Sequence, residues 1–258
     1  MSNNKNQRTI FANPDIDVIV TSSGGGGTTF LINEIARYKR TNDSENMDGL
    51  KHIPIPPLSK NPNIKAIYIF GNPILACVSL FHRKYHYTQS RMVQKFYVRK
   101  HLVAYNKKIQ SYASEGKESL FFRRHLNNWN QRYNLYPILF IRYESLFSHL
   151  DELSDFLGLP PEFKGDFPSW KPRSSNFEGL SANTKADLEA LYGPMNNEIK
   201  QWPDCFLVPG QNGSVSRLFL TSNLYRTAFL HAIGKRYPLL RSVGNKLKLN
   251  RFTSDDLD

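Results

Sequence analysis

Hydrophobic and polar positions change period several times along the chain, and each change marks an element. Residues 17–21 (DVIVT) form a short β-branched apolar run, the composition of a buried strand. After a glycine-rich stretch, Leu31, Ile32, Ile35, Ala36 and Tyr38 recur at helical spacing through TTFLINEIARYKR, so the unit reads strand, loop, helix. The polar stretch TNDSENMDG then reads as a loop. Prolines in LKHIPIPPLSKNPN exclude a long helix but allow a short edge strand.

A second unit follows. KAIYIF (65–70) is a strand pattern, Asn72 and Pro73 are an N-cap and first-turn proline, and residues 74–102 can continue as helix. SLFFRRHLNNWNQRY places Leu120, Arg124 or His125, and Trp129 at helical intervals, and YPILFIRY (136–143) is a third strand. HLDELSDFLGLPP reads as an amphipathic helix stopped at Gly158, and residues 183–202 as a helix interrupted at Gly193 and Pro194. Strands alternating with helices predict an α/β fold, a mostly parallel sheet covered on both faces in three α/β/α layers.

Composition narrows the partners more than the fold. The chain has 258 residues, 40% of them hydrophobic, enough for a sizeable core. Lys and Arg total 34 against 22 Asp and Glu, a formal charge of +12, which points to anionic partners: nucleotide, sulfated or phosphorylated acceptor, nucleic acid or lipid surface. Much of that charge lies in the tail. From Cys205 to Arg251 no acidic residue occurs, whereas Arg217, Arg226, Lys235, Arg236, Arg241, Lys246, Lys248 and Arg251 are basic. This extension reads as a basic helix over the core with a solvated face, or as a contact for a membrane surface or polyanion.

Cys77 and Cys205 are the sole cysteines, too few for a disulfide framework or a metal site. The polar start MSNNKNQRTIFANPD and the lack of any run of about 18 apolar residues lead to the expectation of a cytoplasmic protein.

The chemistry gathers at Gly24, Gly25, Gly26, Gly27, Thr28 and Thr29. A glycine run between strand and helix exposes successive N–H groups and the positive helix end, which together hold phosphate without side-chain charge. A flexible glycine turn is the alternative, but the position at a strand-to-helix junction favours phosphate binding. Thr28 stands where a Walker A motif has lysine, which argues against an ordinary P-loop kinase or ATPase.

The motif series resembles the sulfotransferases that use 3′-phosphoadenosine 5′-phosphosulfate (PAPS), whose first loop reads approximately Pro-Lys-Ser-Gly-Thr-Thr-Trp. Gly27, Thr28, Thr29 and the aromatic Phe30 match it, with Gly25 at the lysine position. FGNPILACVSLF is similar to the family's Phe-Arg-Asn-Pro helix start, with Gly71 in place of arginine. The resemblance implies that Ser79 contacts the donor's 3′-phosphate. HLNNW, LFIRYESL and DFLGLP resemble the third signature, in which Arg142, Tyr143 and Glu144 read as structural.

LKHIPIPPL is similar to the KTHLP stretch, which makes His52 the implied general base. An exposed loop histidine is the alternative, since the segment from the glycine loop is short; Glu34 is a weaker candidate base. Arg173 is the preferred replacement for the missing arginine, with Arg83, Lys51 and Lys171 also available.

The resemblance spans roughly residues 16–200 in motif order. It implies a P-loop nucleotide-hydrolase-like domain over 16–204, flanked by a flexible N-terminus of 1–15 and a basic extension of 205–258. The activity it implies is transfer of a sulfuryl group from PAPS to an acceptor hydroxyl, for which a basic protein suits an anionic glycan. No metal is needed. Two other classes stay open: a domain that lost its cations and only binds a nucleotide or polyanion, and a kinase-like transferase that needs Mg²⁺.

Overall fold

The computed structural model describes residues 11–94, 102–131, 134–169 and 177–210. Apart from Phe11, these belong to one unit of residues 12–212. The basic extension beyond residue 210, and with it Arg217 to Arg251, lies outside the described residues, as do Lys171 and Arg173.

A four-stranded sheet runs β1 (Val18–Thr21), β2 (Lys65–Phe70), β3 (Ile138–Arg142) and β4 (Cys205–Val208), in that spatial order. The first three strands are parallel, with Val18 opposite Lys65 and Ala66 opposite Ile138. β4 is antiparallel to β3 and continues the sheet past residue 204, where the sequence placed the domain's end.

Successive strand residues face opposite sides. Val18, Val20, Ile67, Ile69, Leu139 and Ile141 point to one face, where they pack with Leu31, Ile32 and Ile35 of α1 (Thr28–Ala36). Leu153 and Leu157 of α6 (Leu150–Leu157) and Phe163 of α7 (Glu162–Gly165) complete that layer. Tyr68 and Phe140 point to the other face and stack on one another at 5.0 Å between centroids. That side is covered by α2 (Pro73–His82), α5 (Phe122–Trp129) and α8 (Ala182–Lys200), with Trp129 fully buried 5.8 Å from the Tyr68 ring. The three layers follow from alternation within each strand. Each buried aliphatic or aromatic side chain contributes about 1.5–3 kcal/mol.

Four sequence expectations differ from the structure. Residues 50–63 form turns and extended chain rather than an edge strand. Their carbonyls are satisfied by side chains instead: Trp129 Nε1 donates to Ile53 (3.0 Å), Asn128 Nδ2 to Pro54 (2.9 Å) and the Tyr136 hydroxyl to Pro57 (2.9 Å). Prolines at 54, 56 and 57 cannot donate to a ladder, so a neighbouring helix takes its place.

The expected long helix from residue 74 breaks at Lys84, where φ is +59°, and resumes as α3 (His86–Val93). The helix expected to break at Gly193 and Pro194 instead runs unbroken as α8, because Leu188, Tyr192, Met195 and Ile199 bury one face and the Tyr192 hydroxyl meets that of Tyr112, on α4 (Ile109–Ser114), at 2.5 Å. Finally, β4 has no counterpart in the sequence reading: four residues between prolines, with Leu207 half exposed, give too little pattern.

Candidate functional site

Parallel strands direct their carboxyl ends to one edge of the sheet, and all three motif loops leave from there. β1 feeds the glycine loop, β2 feeds Gly71 and Asn72, and β3 feeds Tyr143 and Glu144.

Thr28 opens α1 after Gly27, which adopts a left-handed φ of 74° at the N-cap. No side chain caps this helix and its first turn holds no acidic residue, so its leading N–H groups are left for a ligand. Thr28 is buried beside them and Thr29 is exposed. The Ser22 hydroxyl accepts from Gly24 N–H (3.0 Å), and Gln89 Nε2 of α3 donates to the Ser23 carbonyl (2.6 Å), which fixes the entry to the loop. A glycine cradle leading into an uncapped helix fits a phosphate or phosphosulfate.

Helix α2 starts with Asn72 Oδ1 accepting from the N–H groups of Ile74 (2.9 Å) and Leu75 (3.2 Å). It then crosses the glycine loop closely. A Cβ at Gly25, where φ is +73°, would lie 2.9 Å from both Cα and the carbonyl oxygen of Ala76. This position has room for no side chain, so the lysine that the resemblance places there is excluded by packing. Ser79 comes three residues after Ala76, hence on the loop side of α2, and is nearly buried.

Gly71 is a different case. A Cβ there would meet Glu144 Oε2 at 2.7 Å, and Glu144 Oε1 accepts from Asn72 N–H at 3.2 Å. A carboxylate therefore occupies the ground of the missing arginine. Arg142 is spent elsewhere: it pairs with Asp204 (2.5 Å), donates to the carbonyls of Ile199 and Trp202, and lies over Phe70, which is a structural role.

His52 sits beneath the loop. Its relative exposure of 9% rules out the free surface histidine considered above. Nδ1 lies 2.9 Å from the Ser22 carbonyl. A carbonyl can only accept, so Nδ1 carries the proton and Nε2 keeps its lone pair. Burial lowers the His52 pKa to about 4, opposed by the Ser22 hydrogen bond and assisted by the positive charges of Lys51 and Arg83. Behind it, His125 is also buried, its pKa lowered to about 3 by desolvation, and its Nδ1 shares a hydrogen bond with the Tyr68 hydroxyl (2.9 Å).

The structure thus brings Gly24 to Thr29, Ala76, His52 and Lys51 together, and puts Ser79 on the adjoining helix face. Glu34 points elsewhere, paired with Arg37 at 3.3 Å. Tyr143 and Gln89 were not singled out as loop contacts by the sequence. Tyr143 lies against Gly27, so that a Cβ there would be 2.5 Å from its ring, and Gln89 packs on Gly24. Among the described residues no group of three or more His, Cys, Asp or Glu could hold a metal ion, and no helix is long and apolar enough to cross a membrane.

A family model described as a sulfotransferase domain matches residues 30–169. No curated protein and no solved structure matches the chain.

Proposed function

The chain belongs to the sulfotransferase-domain family, and from that premise we propose that it transfers a sulfuryl group from PAPS to an acceptor hydroxyl, with an anionic glycan as the acceptor class. The supporting observation is the meeting of an uncapped glycine-loop helix start with a tautomer-fixed buried histidine at one sheet edge.

The N–H groups of the loop and of Thr28 and Thr29 hold the 5′-phosphosulfate, and the hydroxyls of both threonines add donors. Ser79 takes the 3′-phosphate. PAPS supplies the sulfuryl group and leaves as 3′-phosphoadenosine 5′-phosphate (PAP).

His52 Nε2 accepts the acceptor hydroxyl's proton while that oxygen forms its bond to sulfur and the sulfur–oxygen bond to the phosphate breaks. The leaving oxygen gains negative charge, which the loop N–H groups meet without reorganising. Burial keeps His52 neutral at physiological pH, so the base is always in its accepting form. The basic extension, outside the described residues, suits an anionic acceptor or polyanion.

Radiolabelled PAPS offered with a panel of glycans, phenols and lipids tests the reading. Transfer that falls by about 10²-fold or more in His52→Ala supports the assigned base. Transfer untouched by that change removes His52 from the mechanism. PAP binding without any transfer favours a domain that only binds.

A further inference from the structure

We infer that Lys51 is the cation of the phosphate loop, reaching it from a separate segment because helix α2 closes the loop's own lysine position. The inference rests on the sulfotransfer reading and says which residue completes its donor site.

A side chain at Gly25 would strike Ala76 backbone, so no loop residue at that position can bring positive charge to the cradle. Lys51 reaches the end of the cradle from a separate segment, through Thr29. Its main chain is held on three counts: the carbonyl accepts from the Thr21 hydroxyl (3.0 Å) and Ser22 N–H (3.4 Å), and its N–H donates to Asn46 Oδ1 (2.9 Å). Its ammonium reaches Thr29 Oγ1 and the Ser44 carbonyl, each at 2.5 Å.

An ammonium has three donors, and these two contacts leave one for a ligand beside the threonine that ends the cradle. Half-burial lowers its pKa, the direction that an arriving phosphate dianion reverses, and Asp43 and Glu45 nearby help keep it charged. The charge of Arg83 is also felt at both Lys51 and His52, so the same mouth is positive from two segments. Neither residue needs the cations absent at Gly25 and Gly71.

The test is calorimetric titration of the full chain with PAP, using Lys51→Met and Lys51→Arg. Methionine keeps the apolar stem, so folding is expected to survive, with a melting temperature close to wild type. A charge-assisted contact predicts that Lys51→Met weakens PAP binding about 10- to 100-fold and that Lys51→Arg recovers most of the loss. The ratio of wild-type to Lys51→Met affinity should shrink as salt rises from about 50 to 500 mM, because screening acts only where the charge is present.

Equal PAP affinity in wild type and Lys51→Met overturns the inference and leaves the sulfotransfer reading standing. So does a loss that is indifferent to salt and not restored by arginine, which marks a purely structural lysine. Wild-type protein that fails to bind PAP at millimolar concentration overturns the donor reading itself, and the role of Lys51 with it.

Discussion

Substituting Gly25 by alanine separates two explanations of a phosphate loop without lysine. If the lysine was merely lost, a small side chain at this position is tolerated. If α2 packing excludes it, even one methyl group is costly.

The structure supplies both terms of the cost. Gly25 has φ +73°, a left-handed conformation that costs an L-residue about 1–2 kcal/mol. The new Cβ would also sit 2.9 Å from Ala76 Cα and carbonyl oxygen, atoms of a helix that cannot swing aside. Overpacking of this kind costs about 1–3 kcal/mol. The unfolded chain gives back little, since the ~0.4–1 kcal/mol entropic gain of Gly→Ala is realised only where the native conformation suits alanine.

Together these predict a destabilisation of about 2–5 kcal/mol. At about 2–4 °C per kcal/mol for a domain of this size, the melting temperature should fall by roughly 4–20 °C. Thermal and urea unfolding of Gly25→Ala against wild type measure it. An unchanged melting temperature would mean that α2 does not close on the loop and that steric exclusion is not why residue 25 is glycine.

Other outcomes follow from the same geometry. Gly71→Ala meets only the carboxylate end of Glu144, which can rotate away, so thermal unfolding should show a loss below about 1.5 kcal/mol, much less than for Gly25→Ala. Trp129→Phe removes the hydrogen bond to the Ile53 carbonyl next to His52 and should cost about 1–3 kcal/mol in urea unfolding, and on the proposed role of His52 it should also lower kcat. With His52 as the base and its pKa near 4, the acid limb of kcat/KM should lie well below the ordinary histidine range, leaving the rate flat from about pH 5.5 to 7.5; a limb near 6.5 contradicts the buried base. The same depressed value makes the unfolded state bind the extra proton, so the contribution of His52 to stability is complete above about pH 6.5 and is lost as pH falls towards 4, at up to ~1.4 kcal/mol per pH unit. His52→Gln should reduce the slope of that part of the stability profile, the buried His125 supplying the remainder.

Much of the scaffold could be read from the chain because its signals are local. β-branched runs at 18–21, 65–70 and 138–142, and the Asn72–Pro73 helix start, each declare themselves within a few residues. Two elements follow from tertiary contacts instead. Pro194 stays inside α8 because Tyr192, Met195 and Ile199 are buried around it, and β4 exists because β3 offers it an edge.

The site divides in the same way. The glycine cradle and His52 stand out by residue type, whereas their environment depends on distant partners. Trp129 and Asn128 hold the segment after His52, about 76 and 74 residues away in the chain. Glycine at 25 looked like a missing cation in one dimension and is a steric requirement in three. Its cause, Ala76, lies 51 residues downstream, and no local pattern encodes that approach.

Whether residues 24–29 receive the donor's phosphosulfate is decided by metal-free titration with PAP, set beside ATP with Mg²⁺. The expected result is micromolar PAP binding that needs no metal and weakens in Ser79→Ala. Absence of PAP binding at millimolar concentration, with MgATP bound in its place, would contradict it.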